Sequence, residues 1–133
     1  MRFGKKFIIF GCEARGDKHS AYMTRYTLIE TTRWQLLLHH FHRSDAEEHH
    51  DHPFWFISLI LWRGYIEETP AGKRRFYPGM ILIRPAAWRH RVELVGERPA
   101  ITLVLTGPKY RPWGFFTKDG WQFWKVYFRE RGC

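Results

Sequence analysis

The sequence lacks any long hydrophobic run. Its longest predominantly apolar stretch, residues 54–62, is nine residues long, whereas a membrane-spanning helix needs about 18–20. The apolar part of the first ten residues ends at Phe10 without a small-residue cleavage site, so we expect no secretion signal. We therefore predict a cytoplasmic protein that has no membrane partner.

Cysteine is scarce, and several catalytic signatures are missing. Cys12 and Cys133 are the two cysteines, and neither lies in a motif that activates a cysteine nucleophile. A disulfide between them is one possibility, and a pair of reduced cytosolic thiols is the favoured one. The sequence also contains no glycine-rich phosphate loop and no serine nucleophile elbow. These absences disfavour covalent catalysis and nucleotide-dependent chemistry.

Acidic residues are outnumbered: 13 Asp and Glu face 22 Lys and Arg, which gives a net charge of +9. Such an excess is compatible with a solvated basic surface, an anionic small-molecule ligand or nucleic acid. The basic residues are scattered, with no basic helix, zinc-finger spacing or aromatic RNA-binding signature. We therefore favour the solvated surface first, an anionic ligand second and nucleic acid last.

The chain is rich in short segments typical of β-strands. Its 133 residues suit one domain, 1–133, and 44% of them are hydrophobic. Alternating apolar and polar residues, separated by Pro- and Gly-containing turns, predict strands at 6–10, 22–30, 34–41, 54–61, 64–68, 74–77, 81–84, 89–94, 101–106 and 114–116. Residues 44–47 have a capping-box pattern that predicts one helical turn, and 121–127 suit either a strand or a helix. The pattern predicts an all-β sandwich or barrel.

The predicted strand 54–61 is apolar on both faces. One face carries Phe54, Phe56, Ser58 and Ile60, and the other carries Trp55, Ile57, Leu59 and Leu61. If the first face lines a barrel interior, the second must be covered by another layer, by the aromatic C-terminal tail or by a partner chain. Together with seven tryptophans in a small chain, this predicts a homodimer.

Histidine is concentrated in one region. Six of the eight histidines lie between residues 39 and 52, a clustering that indicates metal chemistry. The histidines of His50-Asp51-His52 are two residues apart, so on a strand their Cα atoms lie about 6.5–7 Å apart and both imidazoles face the same side. Two such imidazoles can converge on one ion. Such a pair needs a third donor elsewhere in the chain.

The third donor follows from a resemblance to a known family. His50-x-His52, an apolar strand and Gly64 resemble the first motif of the cupins, at about 50–64. Pro78-Gly79, the strand 81–84 with Pro85, and His90 resemble the second motif, at about 78–94. The chain is also similar to small single-domain cupins of bacteria and phages. The resemblance implies a cupin-type double-stranded β-helix (jelly-roll) barrel in which His50, His52 and His90 hold one divalent metal ion.

The chain departs from the family pattern at two positions. The glutamate of the first motif is replaced by Phe56, and the asparagine that follows the last histidine by Leu94. The resemblance therefore implies a three-histidine site, as in thiol dioxygenases and in some diketone- and gentisate-cleaving cupins. Such a site implies Fe(II) first, with Zn, Ni or Mn as alternatives. Three neutral ligands also leave both charges of the ion, which favours an anionic ligand.

Two functions follow from this site. The first is a mononuclear non-haem metal oxidoreductase, a dioxygenase of a small anionic molecule. The second is a non-catalytic binding or structural module in which the metal is a staple or a ligand sensor. In both cases we expect the pocket to be lined by Phe54, Phe56, Ser58, Ile83 and Val92.

The remaining histidines have weaker predicted roles. His40-x-His42 is a second pair with the same spacing but no matched third donor. We expect His39 and His49 at the cavity rim or behind the ligands, and His19 in a solvent-exposed loop. Arg63, Arg84 and Tyr65 could reach a substrate, although a structural or exposed position is favoured for each of them.

Overall fold

The computed structural model describes residues 2–10, 21–45 and 48–130. These ranges form β1 (Arg2–Phe10), β2 (Ala21–Glu30), β3 (Gln35–Phe41), β4 (His49–His50), β5 (Phe56–Trp62), β6 (Tyr65–Thr69), β7 (Gly72–Phe76), β8 (Ile81–Arg84), β9 (Arg91–Leu94), β10 (Ala100–Thr106), β11 (Gly114–Thr117) and β12 (Gly120–Phe123). A 3₁₀ helix (Val95–Glu97) and a final helix, α1 (Trp124–Glu130), complete the described elements. The predicted all-β class is confirmed. Most strands coincide with segments in which apolar and polar residues alternate, and turn residues separate them.

The strands form two layers around one core. The first layer is an antiparallel six-stranded sheet of order β1-β2-β3-β10-β5-β8. The second consists of two three-stranded sheets, β12-β11-β4 and β7-β6-β9, which a backbone bridge between His50 and His90 links edge to edge. Residues of both layers, including Phe41 and Ile60 from the first and Tyr65 and Val92 from the second, share one hydrophobic cluster. This is the double-stranded β-helix that the motifs imply.

The two central strands of the first layer show why the layers face each other. Along β5 and β10 every second residue is buried, as expected when one face of a sheet packs on another layer. Phe56, Ser58 and Ile60 of β5 point inward, while the alternate residues form the outer face. The prediction that one face of this strand lines the interior is confirmed.

One turn requires glycine. Gly64 joins β5 to β6 with φ of 78°, a left-handed conformation that residues with a side chain rarely adopt. A Cβ atom added there would lie 2.1 Å from the carbonyl oxygen of Phe76. The close approach lets β6 begin at Tyr65 beside β7 and turns Glu67 into the interior.

The aromatic tail contains both a strand and a helix. β12 pairs with β11 as far as Phe123, and α1 begins at the next residue. Tyr127 then stacks on Phe115 of β11, with ring centroids 3.8 Å apart. The sequence left the tail undecided because its aromatic spacing suits a strand before Trp124 and a helix after it. The tail packs on β11, not on the outer face of β5.

Some expectations fall outside the described residues. These are Cys12, Cys133, His19 and the Ala46-Glu47 part of the capping box. Within the described ranges, no helix has both the length and the apolar character needed to cross a bilayer. The extent of the domain and the cytoplasmic location stay predictions.

Candidate metal site

Three histidines from two separate segments meet at the interior of the barrel. One ligating nitrogen from each of His50, His52 and His90 lies within 4.8 Å of the other two. His90 is buried, and the other two are half-buried. Among the described residues, no other group of three His, Cys, Asp or Glu side chains has a spacing that suits an ion. The structure brings together the three predicted ligands.

Backbone hydrogen bonds hold the two segments side by side. The amide of His50 donates to the carbonyl of His90 at 2.8 Å, and the amide of His90 donates back at 3.0 Å. The amide of His52 donates to Ala86 at 3.0 Å, whereas that of Asp51 donates in the other direction, to β11, at 3.1 Å. This alternation is that of an extended chain, which places His50 and His52 on one side. β4 itself ends at His50, so the expectation that both lie within one strand is corrected.

His90 is oriented by a buried carboxylate. An ionised carboxylate can only accept a hydrogen bond, so Nδ1 of His90 donates to Oε2 of Glu67 at 2.8 Å. Arg84 binds both oxygens of Glu67, at 2.7 and 3.1 Å, and the indole N–H of Trp88 donates at 3.2 Å. Burial alone raises the pKa of Glu67, but the hydrogen bonds from His90 and Arg84 hold that pKa at about 2. Glu67 therefore stays ionised and leaves Nε2 of His90 as the available ligand.

Two ligand nitrogens have the separation that a shared ion requires. Nε2 of His90 and Nε2 of His52 are 3.2 Å apart. Nitrogens bound at about 2.0–2.1 Å to one ion lie about 2.9–3.4 Å apart, for angles between octahedral and tetrahedral. Burial and then the charge of His90 lower the pKa of His52 well below its ordinary value, although the backbone of Trp88 acts the other way. His52 is therefore neutral near pH 7, as a metal ligand must be.

A carboxylate also lies close to His50, in the first of the two ligand segments. Oδ2 of Asp45 lies 3.7 Å from Nδ1 of His50, and Asp45 accepts hydrogen bonds from the amide of Val92 and the hydroxyl of Tyr22. The longer distance makes this a weaker orienting contact than that between Glu67 and His90.

Asp51, which lies between the two ligands of this segment, anchors the segment to its neighbours. Its buried carboxylate accepts from the amide of Gly114 at 2.8 Å, from Arg111 at 3.1 Å and from the indole of Trp121 at 3.2 Å. With all these donors in place, the main chain between His50 and His52 has little freedom to rotate.

The three histidines line a cavity of about 580 Å³. This is the size of pockets that hold small organic molecules. Eight of the residues that line it are aromatic: Tyr22, Phe41, Phe54, Phe56, Tyr65, Trp113, Trp124 and Phe128. Two cations, Arg25 and Lys109, and two carboxylates, Asp45 and Asp51, also line it.

Four of the five predicted pocket residues line this cavity, namely Phe54, Phe56, Ser58 and Val92. The expectation for Ile83 is corrected, because its side chain is 69% exposed on the outer face of the sheet. Ile83 pairs with Ile57 of β5, which also points outward, while Leu82 is the inward residue of β8. The sequence of β8 gave no alternation, since its first three residues are all aliphatic.

Phe56 lies where the resemblance places the missing glutamate. Its ring centroid is 4.6 Å from that of His52 and 5.9 Å from that of His90. Leu94, at the position of the family's asparagine, is part of the hydrophobic core. An aromatic side chain therefore packs on the ligand rings at the position where the first cupin motif has a glutamate.

The other histidines have different partners. His39 lines the cavity and accepts a hydrogen bond from Nε of Arg25 at 3.0 Å. Burial, and then the charge of Arg25, lower the pKa of His39 well below its ordinary value. His49 lies 3.4 Å from Glu68 and does not line the cavity. Of the two histidines expected at the cavity rim or behind the ligands, only His39 lines the cavity.

The three further candidates for substrate contact, Tyr65, Arg84 and Arg63, lie in different environments. Tyr65 lines the cavity, and burial raises its pKa. Arg84 is bound by Glu67 and is structural, and Arg63 is exposed.

Sequence reasoning missed Glu67 and Asp45. Glu67 occupies an inward position of β6, two residues after the buried Tyr65. A charged residue at the inward position of an alternating strand was the available signal, because a buried charge requires a partner.

Comparisons with known proteins bear on the fold. No family model and no curated protein matches the sequence. A cupin-2 domain protein of Rhodospirillum rubrum superposes with a TM-score of 0.70 and 11% identity, over 96% of this chain and 82% of its own. The polyketide cyclase RemF of Streptomyces resistomycificus gives 0.64 and 17%, over 83% of this chain and 78% of its own. The DMSP lyase DddQ of Ruegeria pomeroyi gives 0.64 and 19%, over 81% and 58%.

These similarities are structural and have low sequence identity. They show that the chain has the cupin fold, in agreement with the sheet order and with the three clustered histidines. A group of three histidines that could hold a metal ion is present in this fold.

Proposed function

We propose that this cupin-fold protein is a metal-dependent enzyme that acts on a small anionic molecule. Within that class, we propose a mononuclear non-haem iron(II) dioxygenase. The observation that supports it most is the convergence of His50, His52 and His90 on the wall of a cavity of about 580 Å³. A purely structural ion needs no adjoining cavity large enough for a substrate.

The donor set fits a divalent transition metal. Three imidazole nitrogens suit Fe(II), Zn, Ni or Mn, and they leave positions open for substrate. When bound, such an ion would supply Lewis-acid chemistry and, if it is iron, electron transfer to oxygen. Glu67 and Asp45 would keep the His90 and His50 rings in position.

The charge of the cavity supports an anionic substrate. Asp51 accepts three hydrogen bonds, and Asp45 is bound by Val92 and Tyr22. Arg25 and Lys109 add positive charge to the walls, and three neutral ligands would leave the ion's two charges uncompensated. Apolar walls lower the local dielectric constant, which strengthens attraction between a substrate anion and these charges.

A non-catalytic binding or structural module is the second candidate. The observation that favours it is that both carboxylates lining the cavity are already engaged in hydrogen bonds. Phe56 in place of a carboxylate ligand further reduces the acid–base groups near the ion. Any catalysis would then depend on the ion itself.

The test begins with the metal content of protein purified without added metal. Protein loaded with Fe(II) is then assayed for oxygen uptake with thiols, catechols and diketones, beside a second panel for lyase, cyclase and isomerase activity. The second panel matters because the fold relatives include a lyase and a cyclase. His40→Ala is the matched control.

Oxygen uptake that is lost in His90→Ala supports the dioxygenase. Turnover without oxygen uptake moves the assignment to another metal-dependent class. Bound metal with neither activity favours the binding module, and failure to bind metal contradicts both candidates.

A further inference from the structure

A row of polar residues crosses the inner face of the six-stranded sheet. Arg25 of β2 pairs with His39 of β3, and His39 pairs with Thr102 of β10, so the three are neighbours in the strand register. All three line the same cavity as the ligand histidines. The rows on either side are mostly apolar, namely Met23, Phe41 and Ala100 on one side and Thr27, Leu37 and Val104 on the other. These three residues, here called the polar row, interrupt an otherwise apolar wall.

Hydrogen bonding within the polar row is incomplete. Nε of Arg25 donates to Nε2 of His39 at 3.0 Å. Burial, and then the charge of Arg25, lower the pKa of His39, so this imidazole is neutral near pH 7. Thr102 is 1% exposed, and among the described residues its hydroxyl oxygen has no hydrogen-bond partner. A buried polar group without a partner costs free energy, which indicates that the row binds something else.

A carboxylate fits the donors of the polar row. The guanidinium of Arg25 stays charged at any pH that the protein tolerates, and its planar shape matches that of a carboxylate. Hydrogen bonds between these two groups are charge-assisted and stronger than those between neutral groups. The hydroxyl of Thr102 can donate to the same anion. The row therefore favours a carboxylate over a neutral group of the same size.

The polar row lies some distance from the ligand histidines. Phe56, which packs on the His52 ring, pairs with Thr106. Ile60, four residues further along β5, pairs with Thr102. At about 3.4 Å per residue, the row is about 13 Å along the sheet from the level of Phe56. Because one cavity reaches both places, a single molecule could contact the ion at one end and the row at the other.

We propose that the polar row binds the carboxylate of an elongated organic acid whose opposite end reaches His50, His52 and His90. This inference rests on the proposed function, and it narrows the anionic substrate to an acid that reacts at the end remote from its carboxylate. The apolar side chains between the two ends contact the rest of the molecule, as in pockets where a few polar groups fix the orientation of a ligand. An acid whose carboxylate adjoins the reacting group is then a poor substrate.

Isothermal titration calorimetry with octanoate and octanamide tests the carboxylate site. The two probes have the same chain and nearly the same shape but differ in charge. Each is titrated into Zn(II)-loaded and into metal-free protein. Wild-type protein should bind octanoate at least about tenfold more tightly than octanamide in both forms, because only octanoate forms charge-assisted hydrogen bonds with Arg25. Arg25→Gln should lose this preference.

Lys109→Gln is the matched control. Lys109 is the other cation that lines the cavity, but it is exposed and follows the opposite end of β10. The variant should therefore keep the preference for octanoate. Circular dichroism checks that each variant folds.

Thr102→Val is the second variant, and it decides the matter if Arg25→Gln fails to fold. It keeps the shape of the side chain and removes a hydroxyl that has no partner among the described residues. The melting temperature of the ligand-free protein should therefore not fall, whereas affinity for octanoate should fall about three- to tenfold. An unchanged affinity would overturn the assignment.

Three results with the wild-type chain or Arg25→Gln also overturn the proposal: no octanoate binding, equal affinity for both probes, or a preference that survives Arg25→Gln. A preference that disappears when zinc is removed overturns it too, because the carboxylate then binds the ion. Failure of the proposed function gives a different result. A chain that binds no metal but prefers octanoate through Arg25 contradicts the metal-dependent enzyme and supports the carboxylate site.

Discussion

The two histidine pairs of this protein have the same spacing in sequence but different surroundings. His50 and His52 meet His90 across the junction of two sheets. His40 and His42 lie at the end of β3, with ring centroids 4.2 Å apart, and His42 contacts the hydroxyl of Thr24 at 2.9 Å. In the described residues no third ligand completes that second pair.

The two sites differ in the side chains that contact their histidines. Glu67 and Asp45 back His90 and His50, so the first site combines donors with carboxylates that orient them. In the second pair, by contrast, burial and then the charge of His40 lower the pKa of His42. A pair of histidines two residues apart therefore does not identify a metal site without the partner that the fold brings to it.

The largest expected difference between the pairs is in metal retention. His90→Ala should lose most of the bound metal at pH 7.5, with affinity lower by at least about a hundredfold, because a three-donor site becomes a two-donor site. His40→Ala should lose little. Elemental analysis after dialysis measures both. His90→Ala should stay β-rich by circular dichroism with a lower melting temperature. A folded His90→Ala that keeps a full equivalent of metal would contradict the assignment.

Acid should empty the site in the wild-type protein. All three ligands must be neutral to bind, so protons compete with the ion at each nitrogen. Metal held at pH 7.5 should therefore be released in acid, and the lowered pKa of His52 shifts that release to lower pH. Metal content at a series of pH values measures this, and a metal content that does not change with pH would argue for ligands other than histidine.

The hydrogen bond between Glu67 and His90 provides a further test of the first site. Glu67→Gln keeps the size of the side chain but removes the charge that fixes the proton on Nδ1 of His90. Metal affinity should fall about 10–100-fold. Glu68→Gln is the matched control, since Glu68 contacts His49 and Arg91 away from the ligands. Competition with a fluorescent chelator gives both affinities, and equal values would show that Glu67 only stabilises the fold.

Phe56→Glu tests whether the ligand sphere can be extended. The Phe56 ring packs on that of His52, so a carboxylate there can reach the ion and should tighten binding by about tenfold. The buried charge would lower stability in the metal-free protein. Phe56→Gln separates the anionic effect from the change of shape. Weaker metal retention in Phe56→Glu than in Phe56→Gln would show that this position does not face the ion.

The smallest effect concerns His39, which precedes the second pair. Its folded-state pKa is lowered, so below pH 6.5 the unfolded chain takes up a proton that the folded protein does not. His39 should therefore contribute a fall in stability with decreasing pH of at most about 1.4 kcal/mol per pH unit. His39→Gln should reduce that slope, as measured by urea unfolding of metal-free protein between pH 7.5 and 5.5. An unchanged slope would show that His39 titrates normally.

The sequence by itself predicted most of the strands, although not β4, and selected the three histidines. Alternation is a local property, and turns containing Gly or Pro follow most strands, so residues such as Gly64 and Pro78 could be interpreted without tertiary contacts. The order of His50, His52 and His90 within two motifs was sufficient to select them from eight histidines.

Only the tertiary structure decided which way the side chains of β8 point and which carboxylates contact the ligand histidines. Strand pairing is non-local, and a shift of one residue moves every side chain to the other face. An all-aliphatic strand therefore could not show that Ile83 points outward. Glu67 and Asp45 reach His90 and His50 only when β6 and the residues after β3 pack beside them. Their sequence separations from those histidines, 23 and 5 residues, follow no local period.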